Sequence, residues 1–368
     1  MAMSLARAMP LACLAALAAA GPAAAKPFLL TTSGNKPSVV VDASGTTHAV
    51  WDSVSGGSTS TTHYCRVPRN ATKCLAGSER TFSPVLGDQD FGGPRVYITG
   101  GGGKGLLVVT SRCCTETQGP DGTIYGSSTW AFASADGGAT FDAGTWIGTQ
   151  VPDLGATFAR GAFWALGVAG DGSALQIQSA PLTAFTGPPN AISTKSVDSA
   201  GIGTSPKGDV VAFADALNNV YAGKLLGDAN TTTIGFKNLG KGSDVVVTAG
   251  PSGVDLFYKT TGNKSRYIVT RFKGGKAGKT RAVSEPGFPV FGTAFQDAPG
   301  RVHAAWVGDR GLTYRRSGKS GGSFAKPKVL ASKGDYYDLA ISANAAGKAT
   351  VVYDSNSFSG RVGGFTAG

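Results

Sequence analysis

Seven glycines recur along this chain at a nearly even spacing, and each opens a short run of strand-like residues. The closest pair is GTTHAVW, from Gly45 to Trp51, and GRVHAAW, from Gly300 to Trp306. GKATVVYD, from Gly347, has the same shape with Thr350 and Tyr353 at the histidine and tryptophan positions. Looser copies follow Gly105 (GLLVVTS), Gly161 (GAFWALG), Gly208 (GDVVAFAD) and Gly253 (GVDLFYK), giving successive intervals of 60, 56, 47, 45, 47 and 47 residues. A fixed period constrains the fold before any motif does, because each unit must bury its apolar surface on the next.

A unit of this length, made of short β-runs with Gly, Asp and Ser clusters between them and no long helical periodicity, is a four-stranded propeller blade. The expected fold is therefore all-β: a single β-propeller of seven blades of four antiparallel strands, with six as the alternative if the weak copy at Gly161 is coincidental. The last unit, from Tyr336 to Gly368, is one strand short, and the leading KPFLLTT can supply it. The glycine-led run is the second strand of each blade, so Trp51, Trp306 and Tyr353 fall in the core between blades. His48 and His303 share one repeat position and read as structural groups bonding between blades.

The chain opens with one basic residue, Arg7, then an apolar run from Met9 to Ala20 and Ala23-Ala24-Ala25 before Lys26. That is the pattern of a cleaved secretion signal, residues 1–25, leaving a mature propeller of residues 26–368. No later run reaches the roughly 18 apolar residues of a membrane-spanning helix. The expectation is a secreted, extracytoplasmic monomer. Glycine contributes 55 residues, and charged residues are 15% against 41% hydrophobic, so this is a core-forming chain rich in turns. Four cysteines follow the leader: Cys65, Cys74, Cys113 and Cys114. In an oxidising compartment an even count reads as disulfides. With no CxxC pair and only 3 histidines, no metal site is expected. No cofactor is implied either, and no calcium-ligand spacing is recognisable.

SADGGATF, residues 134–141, carries Ser134, Asp136, Gly138, Thr140 and Phe141 in the order Ser-x-Asp-x-Gly-x-Thr-Phe. In such a turn the aspartate accepts backbone N–H groups, the glycine takes a positive φ, and the aromatic ring is buried beneath the hairpin. SGKSGGSF keeps Ser317, Gly321 and Phe324 but has Lys319 in place of the aspartate. On these residues the chain resembles the sialidase-like (Asp-box, or BNR-repeat) β-propeller superfamily over essentially the whole of residues 26–368. The resemblance implies that the box joins the two outer strands of a blade, so Asp136 is a structural residue.

The resemblance also implies what a sialidase would need: three arginines on a substrate carboxylate, a Tyr–Glu nucleophilic pair and an acidic proton donor. The family's N-terminal (Phe/Tyr)-Arg-(Ile/Leu)-Pro stretch is missing, the nearest candidate being Arg95 in GGPRVYIT. Glutamate occurs only as Glu79, Glu116 and Glu285. Carboxylates are the acid and base of glycoside hydrolysis. Asp90, Asp153 and Asp338 are available, but no spacing singles out a pair.

The repeat departs from its period where the cysteines lie. From repeat glycine to box serine is 17 residues in GRVHAAW…SGKS but 29 between Gly105 and Ser134. The surplus falls around RCCTETQGPDGTIYG, on the loops that open at the mouth of the channel. Cys65 and Cys74 flank a hairpin in HYCRVPRNATKC. Either they pair and Cys113–Cys114 form a vicinal ring, or both pairs staple the first two blades together.

The leading expectation is a non-catalytic recognition propeller that binds carbohydrate or another surface ligand through Asp90, Arg95, Arg112, Cys113, Cys114, Arg160, Tyr336 and Tyr337. Arginines would hold acidic groups and tyrosines would stack on sugar faces. Two alternatives are carried forward: a divergent exo-glycosidase clamping a carboxylate with Arg95, Arg112 and Arg160, and a structural or protein-docking propeller, which would expose a large apolar patch. The stretch from Lys259 to Arg281 holds eight basic residues and no acidic one, within a chain of net charge +11. It lacks interleaved aromatics, so an extracellular glycan or anionic cell-surface polymer is the expected partner and nucleic acid is not.

Overall fold

The computed structural model describes residues 25–55, 59–82, 93–100, 104–118, 122–149, 153–169, 172–182, 189–227, 234–273, 275–332, 334–355 and 360–367. They form a single all-β propeller. The first repeat contributes β1 (Lys26–Val41), β2 (Thr47–Ser55), β3 (Thr59–Val67) and β4 (Arg80–Phe82). The second contributes β5 (Arg95–Ile98), β6 (Leu106–Gln118), β7 (Ile124–Ser134) and β8 (Thr145–Gly148). Next come β9 (Gly155–Ala159), β10 (Ala162–Val168), β11 (Leu175–Pro181) and β12 (Asn190–Ser193), followed by β13 (Val197–Gly203), β14 (Asp209–Asp215), β15 (Asn219–Leu225) and β16 (Lys237–Lys241). The fifth repeat holds β17 (Ser243–Gly250), β18 (Gly253–Lys259), β19 (Tyr267–Lys273) and β20 (Lys276–Ala282). The sixth holds β21 (Gly292–Gln296), β22 (Val302–Gly308), β23 (Gly311–Arg316) and β24 (Lys328–Ala331), and the chain ends with β25 (Tyr337–Ala343), β26 (Ala349–Asp354) and β27 (Gly360–Ala367).

The middle repeats, β5–β8 through β21–β24, form five separate four-stranded antiparallel sheets. The remaining strands form one seven-stranded sheet in the order β25-β26-β27-β1-β2-β3-β4. The expectation of seven separate blades, or six, is corrected accordingly: five blades stand as sheets of their own. The cause is β1, which runs unbroken from one register to another. Its residues 26–34 pair with β27, slipping between Leu29 and Thr31 and between Thr31 and Gly34, and residues 35–41 pair with β2, slipping between Asn35 and Ser38. The KPFLLTT segment thus supplies the missing strand and ties the two ends of the ring together.

The repeat glycines stand at the turns that bring the inner strand back as the second strand. Gly45 (φ 89) and Gly300 (φ 77) take the left-handed conformation such a turn requires. The side chain three residues upstream fixes the turn: Asp42, Asp297 and Asn344 each accept the backbone N–H four residues on, at 2.9, 2.8 and 3.1 Å. The second strands that follow are almost fully buried, as in DVVAFAD of β14 and GVDLFYK of β18. Their side chains feed cores shared by neighbouring sheets. Trp306 packs with Phe257 and Tyr267 of the fifth sheet, while Trp51 packs with Val352 and Val362 inside the seven-stranded sheet.

The histidines depart from expectation. His48 Nδ1 bonds Tyr64 Oη at 2.8 Å and Nε2 faces Asp42 at 3.3 Å, while His303 bonds Tyr314 Oη at 2.8 Å and Asp297 at 2.9 Å. Each partner lies in the histidine's own repeat, so these groups tie three strands of one blade instead of bridging two. Burial lowers both imidazole pKa values against the pull of the aspartates.

Candidate functional site

The inner strands run parallel around a channel of about 740 Å³, lined by residues of β1, β5, β9, β13, β17, β21 and β25. Each inner strand has one edge without a ladder partner, and serines meet some of these groups. Val96 N donates to Ser38 Oγ at 3.4 Å, Val41 N to Ser342 Oγ at 3.1 Å, and Val245 N to Ser199 Oγ at 2.9 Å. Because all these strands point the same way, every inner strand starts at one rim of the channel and finishes at the other. The lining is mostly small or apolar, with Ala156, Ala200, Gly201, Val247 and Ala340 among it. Chemistry must therefore sit at the rims.

The starting rim is irregular. Lys36 (φ 48), Asp244 (φ 53) and Asp338 (φ 31) each fall inside a register slip at the beginning of an inner strand, in β1, β17 and β25. Such bulges re-aim side chains at the edge of a sheet, and a non-glycine residue held in this region carries strain. Arg95, the first residue of β5, is half-buried here. Asp153 stands just ahead of β9, with Leu154 N donating to its Oδ1 at 3.0 Å. The desolvating walls push its carboxyl up to about 6, against the opposing pull of the Arg95 charge. The side chain is still open to solvent at the mouth, which screens that rise.

Aromatic rings complete this rim. Phe291 and Tyr337 meet at 5.4 Å between centroids. Tyr336 turns away, edge-on to Tyr353 at 4.9 Å, and its hydroxyl donates to Ser332 O at 3.1 Å. Phe288 and Val290, in the connection leading to β21, are 70% and 52% exposed.

The insertion of the second repeat is a paired hairpin instead of a loop. β6 and β7 pair from Leu106↔Ser134 out to Gln118↔Ile124, with a slip between Cys113 and Thr117. Arg95 pairs with Val109, so the hairpin climbs about 30 Å past the level of Arg95 at roughly 3.3 Å per residue. Arg112, opposite Ser128, and Cys113, opposite Ser127, stand on the rising arm. The side chains of Arg112, Cys113 and Cys114 lie outside the described residues, as does Asp90. At the hairpin's base a buried hydroxyl chain joins the first two repeats: Thr62 Oγ1 donates to Asp52 at 2.6 Å and meets Thr110 Oγ1 at 2.8 Å. Cys65 and Cys74 form a disulfide with Cα atoms 5.8 Å apart, which removes the two-staple alternative.

Arg160 is at the other end of the channel. It occupies the turn between β9 and β10 with φ 55, and its guanidinium meets Asp209 at 2.9 Å. The structure thus places Arg95, the backbone of Arg112, and Tyr337 on the starting side, and Arg160 on the finishing side. Glu285 pairs with Arg310 on the sixth sheet at 3.0 Å. Glu79 precedes β4, beyond the finishing end of β3. Among the described side chains no tyrosine–glutamate pair faces the mouth, and no cluster of three or more His, Cys, Asp or Glu could hold a metal ion.

SADGGATF forms the connection between β7 and β8, the two outer strands of their sheet. Asp136 accepts from Thr140 Oγ1 at 2.6 Å, Thr140 N at 2.9 Å, Ser134 Oγ at 2.8 Å and Ala139 N at 2.9 Å, which holds its carboxyl well below the usual range. Gly138 has φ 79, and Phe141 packs edge-on against Tyr64 and Phe82 at 5.0 Å.

No protein-family model matches the chain, and no curated protein matches it. Solved structures do. A polysaccharide lyase of family PL25, an ulvan lyase bound to -[GlcA(1-4)Rha3S]-, aligns over 94% of this chain and 96% of its own, with 11% identity and a TM-score of 0.55. The K499G mutant of NanB sialidase from Streptococcus pneumoniae aligns over 93% of this chain and 70% of its own, with 10% identity and a TM-score of 0.51. AofleA from Arthrobotrys oligospora aligns over 84% and 91%, with 10% identity and a TM-score of 0.50. At these identities the likeness is one of fold. The chain has the sialidase-like β-propeller fold.

Proposed function

We propose that this sialidase-like propeller is an exported, non-catalytic glycan-binding module whose ligand sits at the starting rim of the channel. The observation that carries the reading is the separation of Arg95 from Arg160. A three-arginine carboxylate clamp needs its members on one substrate, and Arg160 is spent on Asp209 at the opposite rim. What the starting rim offers is one arginine, a titratable aspartate and a tilted aromatic pair, a set suited to holding a sugar acid on Arg95 with a pyranose face on Phe291 or Tyr337. The hairpin of β6 and β7, which carries Arg112, Cys113 and Cys114, forms one wall, and Tyr336 stands on the same side. The lyase and sialidase neighbours act on or bind acidic glycans by their names, which supports the ligand class. Export rests on the leader and the Cys65–Cys74 disulfide, and no helix among the described residues is long and apolar enough to cross a membrane.

The test is to incubate residues 26–368 with a broad glycan array that includes sialosides and uronic-acid glycans, recording retained protein and released sugar. Retention without release is the expected result. Release lost in Arg95→Ala would establish the glycosidase instead. A second reading is favoured by the exposed Phe288, Val290 and Val329, which is 45% exposed, around the groove floored by Trp306. Silence of the array in both channels would shift the function to protein docking through that patch.

A further inference from the structure

A second site lies between the fourth and fifth repeats at the finishing rim, away from Arg95. A cavity of about 190 Å³ there is lined by Ser205, Lys207, Asp209, Lys224, Ser252, Arg271 and Lys273, together with turn glycines 208 and 253. Lys207, Lys224 and Lys273 are exposed at its edge. They come from three segments: the turn before β14, the end of β15 and the end of β19. The ring's geometry, not the sequence, collects them.

The carboxylates nearby are already committed. Asp255, fully buried, receives Arg271 Nε and Nη2 at 2.8 Å each, Gln296 Nε2 at 2.7 Å and Arg281 Nη2 at 3.4 Å. Two guanidiniums on one carboxylate leave a surplus of positive charge behind the cavity floor. Asp209 is taken by Arg160. Lys207 Nζ and Arg271 Nη1 both donate to Ser252 O, at 3.2 and 2.8 Å, which brings two cations to one carbonyl. Among the described residues Lys224 and Lys273 have no ion-pair partner.

Space is kept for an occupant. Gly208 (φ 118) and Gly253 (φ 120) occupy the same turn position in successive repeats. A Cβ on Gly208 would crowd Lys224 Cε at 3.1 Å, whereas one on Gly253 would meet Arg271 and Lys207 at ordinary contact distances of 3.8 and 3.9 Å. Crowded like charges around an open cavity repel one another, and a bound anion relieves that repulsion. The cationic surface continues outward along β20, whose Lys276 and Lys279 are exposed. Phe272, the one aromatic residue lining the cavity, is 4% exposed and gives a base nothing to stack on.

We propose that this cavity anchors one sulfate or carboxylate group of an extended anionic polysaccharide, whose neighbouring charges follow the lysines of β20. The site is independent of the channel mouth. A ligand bound here would hold the propeller on a polyanionic matrix while the mouth stays open.

The experiment measures heparin binding by the mature protein across a salt series, beside the double variant Lys224→Glu/Lys273→Glu. The control, Lys73→Glu/Lys326→Glu, makes the same change in net charge at exposed positions elsewhere. The cavity variant should bind at least about tenfold more weakly, with a salt dependence shallower by roughly two counterions. The control should stay within about twofold of wild type, and melting curves should show all variants folded. Equal losses in both double variants would reduce the effect to net charge and overturn the site. So would competition by inorganic sulfate at equal anion concentration, which would mark a free-anion site. Tighter binding of a single-stranded oligonucleotide of matched charge would overturn the polysaccharide assignment.

Discussion

The two rims of the channel are made from the same repeat yet built in opposite ways. At the finishing rim the turns are regular: Asp42, Asp297 and Asn344 fold back on their own loops, and His48 and His303 lock strands together beneath them. At the starting rim the strands begin with slips and positive-φ residues, and Arg95 and Asp153 face each other's charge without forming an ion pair. Where the polar groups of a turn are answered by their own repeat, as around Asp42 and Asp297, the residues serve closure. Where groups from distant repeats meet unanswered, a ligand can answer them. The difference separates architecture from candidate function within one fold.

The largest expected effect comes from breaking the finishing rim. Asp297→Ala leaves buried His303 with Tyr314 but no carboxylate, and Arg301 without the carboxylate that accepts its Nε–H at 2.6 Å. Loss of one member of a buried charged set costs about 3 kcal/mol or more, to be read as a lower midpoint in denaturant, with glycan retention per folded molecule unchanged. Next is Gly138→Ala at the outer turn. A Cβ there would overlap the Tyr64 hydroxyl on a backbone with φ 79, and the loss should be about 2 kcal/mol.

pH should act on the rims with opposite signs. The folded pKa values of His48 and His303 are lowered by burial, so their contribution is complete above about pH 6.5 and is lost as pH falls through that value toward the folded pKa. Asp153 is raised to about 6, so the folded state holds its proton more tightly and this contribution is lost as pH rises from about 4 to 6. Melting temperature against pH should therefore fall on the acid side less steeply in His303→Gln. In Asp153→Asn the small loss between pH 4 and 6 should vanish, and an unchanged profile in both variants would remove the contrast. The smallest effect belongs to Arg160→Ala, whose guanidinium is 60% exposed: under about 1 kcal/mol in stability, and no change in glycan retention.

Much of the architecture was legible because the turn glycines are a local requirement that repeats. The SADGGATF turn was legible for the same reason, since every bond of Asp136 stays within residues 134–140. The blade count was misread because nothing in KPFLLTTSGNKPSVVV reveals that one continuous strand serves two registers. The histidine pairing was misread although a signal was present: Asp42 and Asp297 each stand six residues before their histidine. The starting rim was hardly legible, because Arg95 and Asp153 lie 58 positions apart in successive repeats, and Phe291 and Tyr337 lie 46 apart, so only the fold sets each pair side by side. Arg160 was grouped with them on residue type alone, and only the direction of β9 shows that it belongs to the other end.

The most direct test is a side-by-side titration of a glycan retained on the array against wild type, Arg95→Ala and Arg160→Ala. A glycan held at the starting rim predicts at least a tenfold loss of affinity in Arg95→Ala, with an unchanged melting temperature, and none in Arg160→Ala. Equal affinity in all three, or an equal loss in both variants, would contradict the assignment of binding to the starting rim.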